Sequence, residues 1–209
     1  MVVLVTQKQH ELVKRALANM EQLYQNNPAP LFHLISEWYK GGSEAASKAA
    51  EIISGLPIVA ANIPAAQKTK QLLMDWQKRT SPASEEGFEY AVELSDDQLA
   101  QLSKILDAFS RIMMGQLHIL FETMDIPAAV DKNPHMMQMY HDVYWEGLYG
   151  AKEAKDLLFP ATKQFGWNGG YGIANREVAE DSRLAYQIAK AIRNEYALPV
   201  TDEPLIQMR

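Results

Sequence analysis

The feature that most constrains the fold is a broad apolar stripe between residues 95 and 124. Ser95, Asp96 and Asp97 form a typical helix start, because serine caps the first turn and acidic side chains favour the positive end of the helix dipole. Apolar residues then recur at three- and four-residue steps: Leu99, Leu102, Ile105, Leu106, Phe109, Ile112, Met113, Leu117 and Leu120. At about 100° per residue they cover roughly half of a helix circumference, which is too wide for a surface helix. We therefore predict one central helix over 95–124.

Similar periodicity predicts further helices on both sides of this one. The expected helices cover 8–25, 30–40, 43–54, 64–78, 134–159 and 178–196. Residues 88–94 alternate apolar and polar side chains, which is typical of a short strand. The predicted fold class is mainly α: a multi-helix bundle with at most a short strand near 88–94.

Charge divides the chain into two regions. Residues 1–86 contain nine basic and eight acidic side chains, whereas residues 87–209 contain eleven and eighteen. The change coincides with the Pro, Gly and Ser residues of the segment 80–87, which is typical of a linker or a long loop. We predict an N-terminal helical region over 1–80 and a C-terminal helical region over 88–209, as separate units or as two lobes of one domain.

Composition narrows the function classes. The chain has no cysteine, which excludes disulfides, zinc ribbons, iron–sulfur clusters and cysteine nucleophiles. Its net charge of −6 makes direct nucleic-acid binding unexpected. Residues 52–66 are apolar, but a glycine and two prolines interrupt them and they fall short of the ~20 residues of a membrane span. Met1–Val5 is too short for the core of a signal peptide, so we expect a cytoplasmic protein without a membrane partner.

Known catalytic and metal-binding patterns do not fit. None of the five histidines has a glutamate three residues before it, as a carboxylate di-iron helix requires. His33 and Glu37 share a helix face, which suits a metal but more often serves as a surface contact. Gly170-Tyr171-Gly172 begins a dinucleotide fingerprint, yet asparagine stands at the third glycine position. We predict no catalytic residue, no metal ligand and no cofactor. An enzymatic function would depend only on the available histidine side chains, such as His118, and on carboxylates.

Arg111 is the first candidate for ligand binding. Asp107, Met114 and His118 lie on the same side of the predicted helix as Arg111, about opposite Phe109. One interpretation is a solvent-exposed face with an Asp107–Arg111 ion pair. The other makes this face the wall of a cleft, in which the planar guanidinium of Arg111 contacts an anion.

Gln116 and the segment after Trp167 supply the other candidates. Gln116 projects into the apolar arc, where its amide needs a partner in a loop or in a ligand. Trp167, Asn168 and Tyr171 lie in a glycine-rich loop whose aromatic faces suit stacking. Arg183 and Gln187 follow on the last predicted helix. Acidic residues in the first turn of that helix disfavour the binding of a phosphate there. The alternative to ligand binding is that the glycine-rich loop has a packing role.

Two segments resemble small phage and prophage proteins. Residues 106–116 read Leu-Asp-Ala-Phe-Ser-Arg-Ile-Met-Met-Gly-Gln, and residues 175–186 read Asn-Arg-Glu-Val-Ala-Glu-Asp-Ser-Arg-Leu-Ala-Tyr. They are similar to the LDxxSRIxMGQ helix and the NxEVxxxSRxAY segment of uncharacterised accessory proteins encoded by phages and prophages. The resemblance spans roughly 88–197 and implies a phage-type accessory protein that acts on the host or its defences.

Both segments contain a Ser-Arg pair. If the two helices pack, Arg111 and Arg183 could converge on one anion; alternatively, both bind carboxylates of the acidic surface.

The leading hypothesis is a non-catalytic protein that binds a small anionic, nucleotide-like ligand, for example to sequester a host defence signal. The candidate ligand-binding residues are Arg111, Gln116, His118, Trp167, Asn168, Tyr171, Arg183 and Gln187. The alternative is a protein that inhibits or adapts a host protein through the methionines and aromatic residues of 134–149. A homo-oligomer is compatible with either.

Overall fold

The computed structural model describes residues 1–56, 62–122, 134–159, 172–194 and 200–209. Its helices are α1 Gln7–Tyr24, α2 Ala29–Tyr39, α3 Ser43–Gly55, α4 Ile63–Lys78, α5 Asp96–Met113, α6 Ile119–Glu122, α7 Pro134–Leu158 and α8 Glu180–Ile192. Its strands are β1 Val2–Val5, β2 Thr80–Pro82, β3 Tyr90–Glu93 and β4 Gln207–Met208. The prediction of a mainly α fold is confirmed. Among the described helices, none combines the length and the hydropathy that crossing a bilayer demands.

A small antiparallel sheet joins both ends of the chain. The strand order is β2-β3-β1-β4, and β1 pairs with β3 in a register that places Val3 opposite Val92. The sequence predicted a strand near 88–94, where β3 lies, but not the other three. β1 is a run of four apolar residues, of which Val3, Leu4 and Val5 are buried. A strand buried on both faces shows no alternation, so periodicity did not reveal it.

The first three residues of the segment 80–87, which was expected to be a linker or a long loop, belong to this sheet. Residues 80–82 pair with β3, with Ser81 opposite Ala91. A single apolar core includes Leu12 of α1, Trp76 of α4, Phe109 of α5 and Ile188 of α8. The two regions predicted from charge therefore share one core.

The central helix is shorter than predicted. It was expected to run over 95–124, but α5 ends at Met113. Gln116 N–H donates to the Arg111 carbonyl at 2.9 Å, and Gly115 N–H donates to the Ile112 carbonyl at 2.9 Å. These two bonds form a Schellman motif, and its left-handed position is Gly115 at φ 81°. The apolar residues after Gly115 continue the stripe in sequence but belong to a turn and to α6, which is why periodicity alone extended the helix.

Serine side chains join α5 to α8. Ser103 Oγ donates to the Ala189 carbonyl at 2.9 Å, and Ser182 Oγ donates to the Ser110 carbonyl at 2.8 Å. The Ser110 and Ser182 hydroxyls lie 3.2 Å apart, and both side chains are buried. Because serine and alanine are small, the two helices approach closely. The helices that carry the Ser-Arg pairs therefore pack side by side.

His10 is a buried titratable group on α1. Its ring lies 4.5 Å from the Tyr90 ring and 5.7 Å from the Trp76 ring, centroid to centroid. Thr80 Oγ1 donates to the Trp76 carbonyl and therefore accepts from His10 Nε2 at 3.0 Å. Burial lowers the pKa of His10 below 6.5, while nearby Glu11 acts in the opposite direction.

We predict that acidification destabilises the fold through His10. Between its pKa in the folded protein and 6.5, the unfolded chain binds more protons, so the free energy of unfolding falls as the pH falls through that window. Urea unfolding from pH 7.5 to 5 should show this slope, and His10→Phe should reduce it. Equal slopes in wild type and His10→Phe would contradict the assignment.

Candidate functional site

A groove of about 430 Å³ opens where α5 ends beside α8. α5 and the turn after it form one wall, α8 forms the other, and residues 172–173 close one side. The lining residues are Asp107, Ser110, Arg111, Met114, Gln116, Gly172, Ile173, Tyr186 and Lys190. We call this site the α5–α8 groove. Its position follows from the serine-mediated approach of the two helices and from the turn at Gly115 that follows the end of α5.

Arg111 is held at one edge of its guanidinium group. Its Nε lies 3.0 Å from Asp107 Oδ2, and the second oxygen of Asp107 lies 3.5 Å from Arg193 Nη2. The side chain of Arg111 is 45% exposed and that of Asp107 is 18% exposed. Within the described part of the chain, Nη1 and Nη2 of Arg111 have no hydrogen-bond partner. Two donor groups therefore remain available on the groove wall.

Tyr186 and Lys190 lie on the opposite wall, one turn apart on α8. Lys190 Nζ lies 5.6 Å from the centroid of the Tyr186 ring, which is a cation–π distance. The groove thus combines a flat aromatic side chain with basic groups on both walls. Neither residue was among the sequence candidates, although their i, i+4 spacing on α8 was readable.

Gln116 lines the groove, but not for the predicted reason. It was expected to point into the apolar arc of a continuous helix. The helix has ended before it, and Gln116 forms part of the turn with its residue partly buried. Its amide can therefore serve as a polar group at the groove rather than needing a partner in the core.

Arg183 and Gln187 bind the C-terminal segment instead. Arg183 Nη1 donates to the Val200 carbonyl at 2.8 Å. Gln187 is 1% exposed; its Oε1 accepts from Val200 N–H at 3.2 Å, and its Nε2 donates to the Glu203 carbonyl at 2.9 Å. Neither residue lines the α5–α8 groove. This corrects the expectation of a recess shared by two guanidinium groups: the serines of the two Ser-Arg pairs meet, whereas the arginines do not.

The remaining candidates are separate from the groove or outside the described residues. His118 lies in the turn between α5 and α6, is partly buried and does not line the groove. Trp167, Asn168 and Tyr171 lie outside the described residues. Across the ranges that the structure describes, no three histidine, aspartate or glutamate side chains form a group that could hold a metal ion.

Comparison with known proteins assigns this chain to no family. No family model, no curated protein and no solved structure matches this chain.

We predict that Gln187→Ala lowers stability by about 2–3 kcal/mol, because it leaves the Val200 N–H and the Glu203 carbonyl without their side-chain partner. Urea unfolding measures the loss, and hydrogen exchange should show faster exchange of the Val200 amide. Gln67→Ala, at an exposed position on α4, is the matched control and should change stability by less than about 0.5 kcal/mol. Similar losses in the two variants would show that Gln187 does not hold the C-terminal segment.

Proposed function

We propose that this chain is a non-catalytic binding protein that holds a small anionic ligand in the α5–α8 groove. The observation that carries the proposal is the state of Arg111: Asp107 holds its Nε, while Nη1 and Nη2 face no partner in the described chain. A guanidinium with two available amino groups suits a carboxylate or a phosphate, because it donates two parallel hydrogen bonds to such a group.

The other lining residues suit a ligand with a planar part. The Tyr186 ring offers a face for stacking, and Met114 and Ile173 add apolar surface. The amide of Gln116 can both donate to and accept from a polar ring edge. The groove volume of about 430 Å³ lies within the range of small-molecule sites, about 300–1,000 Å³. A nucleotide-like molecule has this combination of an anion and a polar ring.

The basic side chains in the groove stand out in an acidic protein. The net charge of the chain is −6, yet the charged lining residues in the described ranges are two basic ones, Arg111 and Lys190, and one acidic one, Asp107. A small anion repelled by the rest of the surface gains locally from these cations, most of all where water is partly excluded.

The resemblance to phage and prophage accessory proteins suggests a setting for such binding. Both segments that carry the resemblance contribute to the groove: 106–116 supplies Arg111 and Gln116, and 175–186 supplies Tyr186. In a phage-infected cell, a protein of this kind would sequester a host defence signal in the host cytoplasm. Sequestration needs a tight site and no chemical step.

A second candidate function is binding to a host protein through α7. Trp145 is 45% exposed and Tyr149 is 69% exposed, with ring centroids 6.4 Å apart. Neighbouring exposed aromatic side chains favour a protein contact. A stoichiometric partner captured by wild type and by Lys152→Ala, but lost with Trp145→Ala/Tyr149→Ala, would favour this function. A partner retained by the double variant would exclude this surface.

We predict that Arg111→Met weakens ligand binding at least tenfold, because it removes the charged donors and keeps the length of the side chain. Thermal shift against a panel of mononucleotides and cyclic dinucleotides identifies the ligand, since a ligand at 100 times its Kd stabilises the protein by about 2.7 kcal/mol. Calorimetry then gives the affinity of each variant.

Two controls accompany this measurement. Lys104→Met removes an exposed cation from the same helix outside the groove and should leave the affinity unchanged. Arg183→Met removes the bond to Val200 and should lower stability rather than affinity. Equal affinity in wild type and Arg111→Met, or an equal loss with Lys104→Met, would refute a ligand site at Arg111.

A further inference from the structure

The orientation of Arg111 restricts how an anion can meet it. A guanidinium group offers two edges for paired hydrogen bonds: the side edge, with Nε and one amino group, and the end edge, with both amino groups. Asp107 Oδ2 lies 3.0 Å from Nε, so this carboxylate forms an ion pair with Arg111 at the side edge. A ligand in the α5–α8 groove has only the end edge for a two-bond contact.

We infer that the ligand presents two oxygens of one oxyanion, a carboxylate or a phosphate, to the end edge of Arg111, and that Asp107 is the positioning residue for this contact. The inference rests on the proposed function and deepens it. Such a contact distinguishes oxyanions, which accept two parallel hydrogen bonds from Arg111, from anions that only attract its positive charge.

Asp107 is itself well placed to hold Arg111. It lies one helical turn before Arg111 on α5, so the pair is at i, i+4 spacing. Its side chain is only 18% exposed, and its other oxygen lies 3.5 Å from Arg193 Nη2 on the α8 side. A carboxylate contacted from two sides has little freedom, so it fixes the guanidinium before a ligand arrives. This fixed orientation reduces the entropy that binding would otherwise cost.

Asp107 also has an opposing effect, because its negative charge repels an anion in the groove. The two effects can be separated by substitution. Asparagine retains a side-chain oxygen beside Arg111 Nε but carries no charge, whereas alanine removes the oxygen as well. If Asp107 acts by orienting the Arg111 guanidinium, Asp107→Asn binds an oxyanion as tightly as wild type or more tightly, and Asp107→Ala binds it more weakly.

The probes for the experiment are phenyl phosphate and benzoate, and the uncharged control is benzamide, which has nearly the shape of benzoate. Titration of the full chain, followed by protein-observed NMR, gives the Kd of each probe for wild type and variants. We expect Asp107→Ala to weaken phenyl phosphate and benzoate at least threefold. Asp107→Asn should bind them no more weakly than wild type, and benzamide should not respond to these changes.

Arg111→Lys tests the paired contact itself. Lysine retains the charge but not the two parallel donors, so we expect at least a tenfold loss of affinity for both oxyanions. Wild-type affinity in Asp107→Ala would overturn the role of Asp107, and wild-type affinity in Arg111→Lys would overturn the end-edge contact. In either case, a loss of ligand affinity in Arg111→Met would still support the proposed function. Absence of binding to wild type by both oxyanion probes and by the nucleotide panel would overturn both proposals.

Discussion

The close packing of α5 against α8 is the constraint on which the rest of the structure depends. Ser103 and Ser182 donate to backbone carbonyls of the opposite helix, and the Ser110 hydroxyl lies against that of Ser182. Buried hydroxyls need such partners, so these bonds specify the register of the two helices. That register places Arg111 on one wall of the α5–α8 groove and Tyr186 on the other. A bulky side chain at Ser182 would separate the helices and change the groove.

Neighbouring positions on one face of α8 have different tasks. Tyr186 and Lys190 line the groove. Arg183 and Gln187 hold the segment after Val200. This segment continues into β4, which pairs with β1 at the edge of the sheet. The C-terminal segment is thereby fixed on the same helix that forms the groove, so stability and ligand binding involve different residues of one element.

The sequence was informative where local chemistry decides the structure and uninformative where distant contacts do. The serine cap of α5 is confirmed: Ser95 accepts from Gln98 N–H, and the Gln98 side chain reaches back to the Ser95 N–H. The end of α5 was missed because apolar residues continue in step beyond Gly115. Gln187 was read as a ligand-binding residue, since its partners Val200 and Glu203 are more than ten residues away and nothing local marks them. Arg111 and Gln116, by contrast, were identified from the sequence and line the groove.

Anion binding between α5 and α8 at Arg111 is measured most directly by an amide chemical-shift titration of the ¹⁵N-labelled full chain with adenosine monophosphate. We expect the largest shifts at 111–116, at 172–173 and around Tyr186, and we expect Arg111→Met to remove them. Shifts confined to the sheet or to α1–α4, or shifts that persist in Arg111→Met, would contradict binding at this site.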